Sequence, residues 1–174
     1  MARPNAEAKA NYAQAKDQAA AAYQVARAKC DAITGNPKEV CVAEAKAARV
    51  RAEQEANALY KNTLKAYTDS RLKIASANYD VDKTRCGALT GNPKDVCLSQ
   101  AKATLVAAQA DARADQKAIE ARSDARDDKL AAQYKVALEK CDAFSQARPR
   151  ISVSRPPKCS TGSDRLPVPA VPIN

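Results

Sequence analysis

Of 174 residues, 40 are alanine, while Trp and His are absent and Phe occurs once, so the chain can form one domain but lacks the side chains for a thick core. Leu, Ile, Val and Phe together make up less than a fifth of the residues, a composition that ordinarily excludes folding; alanine, the best helix former, points instead to long helices with thin, closely approaching seams. The net charge is +9, but 20 acidic residues are interspersed among 29 basic ones, the pattern of solvated helix faces laced with i,i+4 pairs, and no apolar run reaches the length of a membrane span.

Residues 5–33 read as the first helix. Tyr12, Ala15, Ala19, Tyr23, Ala26, Cys30 and Ile33 recur at spacings of three and four and form one narrow stripe of small residues and tyrosines. The run Cys30-Asp31-Ala32-Ile33-Thr34-Gly35-Asn36-Pro37-Lys38-Glu39-Val40-Cys41 then predicts a reversal. Gly35 suits the position just past a helix C-terminus, where φ is positive. Asn36 is a strong N-cap, Pro37 fits the first helical position, and Glu39 completes a capping-box-like Asn-x-x-Glu. One helix therefore stops and the next starts within about three residues, which favours antiparallel neighbours.

Residues 37–89 read as one helix, with Leu59, Leu64, Tyr67, Ile74 and Val81 as its larger seam residues. Its weak point is Tyr67-Thr68-Asp69-Ser70, a run of poor helix formers and the expected place of any kink. The turn then recurs as Cys86-Gly87-Ala88-Leu89-Thr90-Gly91-Asn92-Pro93-Lys94-Asp95-Val96-Cys97, with Gly91, Asn92 and Pro93 in the roles of Gly35, Asn36 and Pro37. Residues 93–146 read as the third helix, in which Ala107–Asp128 has Ile119 as its only large aliphatic residue.

An internal repeat ties these elements together. Tyr23–Val50 aligns without a gap on Tyr79–Val106 at an offset of 56 residues, a whole number of heptads, so the seam returns in phase. A partial third copy begins at Tyr134 at an offset of 55 from Tyr79 and loses the Gly-Asn-Pro turn after Phe144. The expected fold is all-α: long antiparallel helices, as helical hairpins or a three-helix coiled-coil-like bundle, stapled by disulfides at the turns. Residues 1–147 form this helical repeat domain and residues 148–174 a basic, Pro-rich C-terminal tail.

The cysteines stand symmetrically about each turn, five residues before Gly35 and five after Asn36, and likewise around Gly91 and Asn92. This placement predicts the disulfides Cys30–Cys41 and Cys86–Cys97, and leaves Cys141 and Cys159 as a third pair by elimination. Two arrangements compete with these: buried thiols in a helix seam, and a bond from Cys141 to Cys30 or Cys41 at the first turn. Zinc is not expected, because ten residues between cysteines is not a zinc spacing and no histidine is present to complete a site. No metal or cofactor is expected elsewhere.

The tail carries Arg148, Arg150, Arg155 and Lys158, candidates for anion binding, and then Leu166-Pro167-Val168-Pro169-Ala170-Val171-Pro172, a polyproline-like alternation. It reads as disordered, as an arm held by Cys141–Cys159, or as the product of a shifted reading frame, since it starts where the expected third turn vanishes.

The pattern Lys-Cys-Asp-Ala-x-x-Gly-Asn-Pro-Lys-x-Val-Cys-x-x-x-Ala-Lys resembles uncharacterised Ala- and Lys-rich periplasmic proteins of proteobacteria, sometimes labelled cell-envelope or TolA-like. The likeness covers residues 23–50 and 79–106, and 134–144 in part. It implies a periplasmic setting and no known activity. Six cysteines in this pattern also argue for an oxidising compartment. The N-terminal residues have no hydrophobic signal region, so a secretory signal is expected either to have been removed or not to be included in this sequence, giving a periplasmic or secreted chain.

Without His, a glycine-rich phosphate loop or Cys-x-x-Cys, the chain is not expected to be an enzyme. The expected function is that of a structural or interaction protein of the envelope, a stapled helical scaffold or spacer with protein partners or self-association. The alternative is a weak binder of polyanions, nucleic acid or acidic envelope polymers, through the basic surface and tail.

Overall fold

A computed structural model describes the backbone of residues 6–146 and the side chains of residues 6–142. Arg148, Arg150, Arg155, Lys158, Cys159 and the rest of the tail lie outside the described residues. The elements are α1 (Ala6–Cys30), α2 (Asn36–Lys61), α3 (Leu64–Arg85), a single 3-10 turn (Cys86–Ala88) and α4 (Gly91–Gln146). Among the described residues there is no strand, and the fold is a disulfide-stapled helical bundle. The chain divides into two compact units after Arg122, within α4.

In the first unit each hairpin is antiparallel. Cys30 is bonded to Cys41 and Tyr12 stacks on Tyr60 at 4.9 Å between ring centroids, so both ends of α1 are fixed on α2. Cys86 is bonded to Cys97, Lys102 Nζ lies 5.6 Å from the Tyr79 ring centroid, and Arg71 pairs with Asp115, which lays α3 along α4. Both bridges span 5.7 Å between Cα atoms. The tyrosines divide: Tyr12, Tyr23, Tyr60 and Tyr79 are half-buried in or beside seams, whereas Tyr67 and Tyr134 are exposed.

The core is thin, as alanine dictates. Its buried apolar residues are Ala19, Cys30, Ala45, Ala58, Ala66, Ala75, Val81, Cys86, Ala101, Leu105 and Ala112. The largest fully buried side chains are the half-cystines Cys30 and Cys86. The bridges therefore fill the seam as well as closing it.

The long helix expected over 37–89 is two helices. It breaks at Asn62–Thr63 and not at Tyr67–Ser70. Asn62 adopts the left-handed conformation (φ 45°) that asparagine tolerates better than most residues, and its N–H donates to the Ala58 carbonyl at 2.8 Å. Thr63 is extended, and its Oγ1 accepts from the Ala66 N–H at 3.1 Å, an N-cap for α3. The run expected to kink stays helical because its polar groups are accommodated: Thr68 Oγ1 donates to the Leu64 carbonyl at 3.0 Å, and Thr68 and Ser70 are both small enough to be buried. α1 likewise ends at Cys30 and not Ile33, so five residues separate α1 from α2.

Candidate functional site

The two turns meet at one end of the first unit, and a single side chain joins them. Gly35 has positive φ (69°) and precedes α2 as its N-cap residue, with no side-chain cap bond. Asn36, expected as the N-cap, is the first residue of the helix. Its Nδ2 donates instead to the Thr84 carbonyl at 2.9 Å, satisfying an acceptor in the last turn of α3. A residue read as capping its own helix thus ties the start of α2 to the end of α3.

This bond explains a departure in the repeat. Position 87 is glycine where the first copy has Asp31. A Cβ at position 87 would stand 2.8 Å from Asn36 Nδ2, so any other residue there forces the Asn36 side chain to move. A G87A substitution should displace Asn36 from Thr84 and destabilise the chain by ~1 kcal/mol, the worth of a part-buried hydrogen bond. In an N36A background the same change should cost much less, and a double-mutant cycle in thermal or urea unfolding checks the coupling. Additive losses would show that Asn36 does not mediate the effect.

Charged pairs ring this end. Arg85 reaches Glu44 across the α2–α3 seam at 2.6 Å and Asp82 on its own helix at 3.1 Å, and the bond to Glu44 raises the Arg85 pKa further above its ordinary value. Asp31 binds Lys38 at 3.3 Å and Arg27 at 3.0 Å, and these partners, Lys38 foremost, lower its pKa. A lowered carboxyl pKa contributes stability above the unfolded value and loses it as pH falls through the folded one. Asp31 is exposed, so its share is small.

Two open grooves flank α3. One, of about 700 Å³, is lined by Ala47, Ala48, Ala52 and Val81 together with the charged residues Glu44, Arg51, Glu55 and Arg85. The other, of about 340 Å³, is lined by residues of α2, α3 and α4, among them Val50, Leu72, Ala77, Gln109 and Arg113.

The structure brings together Cys30 with Cys41 and Cys86 with Cys97, and places Gly35, Asn36, Pro37, Gly91, Asn92 and Pro93 at the two reversals. Cys141 is half-buried on α4, and its predicted partner Cys159 lies outside the described residues. Large apolar side chains stand exposed on α4: Val96, Val106, Ile119, Leu130, Tyr134, Val136 and Leu138. Leu130 and Tyr134 are more than half exposed. Among the described residues no helix is long and apolar enough to cross a membrane. No family model, curated protein or solved structure matches the chain.

Proposed function

We propose that the chain is a non-enzymatic structural or interaction protein of the bacterial cell envelope, a disulfide-stapled helical scaffold or spacer. The observation that carries this reading is the twice-stapled hairpin. Two bridges at the reversals suit an oxidising compartment, and they hold Ala-rich helix faces and exposed apolar side chains in fixed register. Such faces serve contact with other helices.

The test is photo-crosslinking in intact cells from Val25 or Leu59, exposed apolar positions on α1 and α2. Discrete adducts with other proteins, recovered in the envelope fraction and lost when the four bridging cysteines are replaced by alanine, are expected. An exclusively cytosolic chain with reduced cysteines would overturn the reading.

The net charge of +9 supports a second reading, weak binding of polyanions. It expects affinity for DNA or heparin that falls steeply between low and physiological salt. No binding at low salt would sink it.

A further inference from the structure

The internal repeat supplies a template for what covers the exposed faces of α4. In the first copy, α2 packs on α1 with one face and on α3 with another. At the same offset, the first part of α4 corresponds to α2. Its α1-like face is occupied by α3: Ala101 corresponds to Ala45, and both are buried. Its other face is bare. Val96 and Val106 are 55% and 53% exposed, although their counterparts Val40 and Val50 are half-buried. Ala114 is exposed where its counterpart Ala58 is 2% exposed.

In the template Val50 of this face lies beside Leu72 and Ala77 of α3, and the counterpart of α3 begins near Ile119. Ala66, Ser70, Ala77 and Val81 of α3 correspond, at the third copy's offset, to Ala121, Ala125, Ala132 and Val136. The first four are buried or half-buried; all of the second four are exposed, Val136 at 49% against 6% for Val81. The chain thus carries both halves of an α2–α3-type interface, each uncovered.

What separates the two copies is the hinge. The 56-residue offset brings Asn62–Thr63, the left-handed residue and N-cap that reverse α2 into α3, onto Ala118–Ile119. Neither residue breaks a helix, no Gly, Pro or Asn occurs between residues 94 and 146, and α4 is helical throughout. A hairpin whose turn has been replaced by helix formers satisfies its interface in a second chain, the logic of domain swapping.

We infer that the partner of this surface is a second copy of this chain. Residues 120–141 of each copy pack, antiparallel, on the Val96–Val106–Ala114 face of the other, about a two-fold axis near Ala118–Ile119. In the register centred on that axis, Asp111 stands level with Arg126 of the other copy, Arg113 with Asp124, and Lys117 with Glu120, opposite charges in each case. The inference is independent of the envelope assignment. A dimer without other partners would leave it intact, and envelope crosslinks from a monomer would not rescue it.

The experiment is light scattering coupled to size exclusion on the full chain, prepared under oxidising conditions, from 5 to 200 µM (about this range suffices for a dissociation constant typical of helical interfaces). The expected mass is twice the 18.6 kDa of the chain. A118N/I119T, which restores the hinge of the first copy, should give a monomer with unchanged helix content. V136E, on the exposed part of α4, should raise the dissociation constant at least tenfold. L138E lies on another side of the helix and should leave it within about twofold, in keeping with the small effect of surface changes. A monomeric parent chain, a dimer untouched by V136E, or a dimer disrupted by L138E and not by V136E would each overturn the proposal.

Discussion

Replacing one bridge by C30A/C41A should lower stability by about 3 kcal/mol, the chain-entropy value for a loop of this length. For a chain of this size that is a fall in Tm on the order of 10 °C. The closed loop contains an 11-residue separation and two helix ends that must otherwise be brought together at the cost of ordering five linking residues. Alanine is the appropriate replacement. Cys30 is fully buried, and serine would add the penalty of a buried hydroxyl. C86A/C97A should behave alike, because Cys86 is equally buried and the loop has the same length. Together the two losses should not add. The turns are joined through Asn36 and Thr84, so loosening one end already frees part of the other. Thermal unfolding of the two pair variants and the quadruple variant checks this. A pair variant melting within about 2 °C of the parent would show that helix packing alone fixes the hairpin.

The bridges were legible in sequence because they rest on local signals: symmetric spacing about a capped reversal, repeated intact at residues 30–41 and 86–97. The all-α class was legible from alanine content and seam period. The helix break was misplaced, because the burial of Thr68 and Ser70 depends on what lies across the seam. Thr68 and Ser70 look like breakers by propensity, yet in α3 their small side chains are buried and Thr68 bonds its own helix. Asn62 and Thr63 carry the stronger signal, a residue tolerant of the left-handed region followed by an N-cap. Asn36 shows the complementary limit. Its residue type predicts hydrogen bonding at a helix end, and it does bond a helix end, but that of α3, 48 residues away in sequence. No local rule supplies that partner; the only trace is the change from Asp31 to Gly87 between copies, which marks the space that Asn36 fills.

An A58L substitution should destabilise the chain by ~1–3 kcal/mol, the usual cost of forcing extra methylenes into a packed seam. The periodicity of the sequence assigned Ala19 to that seam. Ala19 is buried, but Ala48 is exposed and Ala45 takes the buried place one turn away. A48L is therefore the matched control, expected within about 0.5 kcal/mol of the parent. Leucine and alanine differ little in helix propensity, so propensity cannot produce the contrast. Packing can. Ala58 is 2% exposed in a bundle whose buried side chains are mostly alanine, so extra methylenes there must be accommodated in a closely packed seam. The backbones must separate, and separation at Ala58 strains the Asn62–Thr63 reversal one turn further on, where the Asn62 N–H is bonded to the Ala58 carbonyl itself. The loss should appear chiefly in the α2–α3 hairpin, with reduced hydrogen-exchange protection from Ala58 to Thr68 and little change near Cys30 and Cys41. Equal melting of A58L and A48L would place Ala58 on a face that can open, and the thin-seam account of this bundle would then fail.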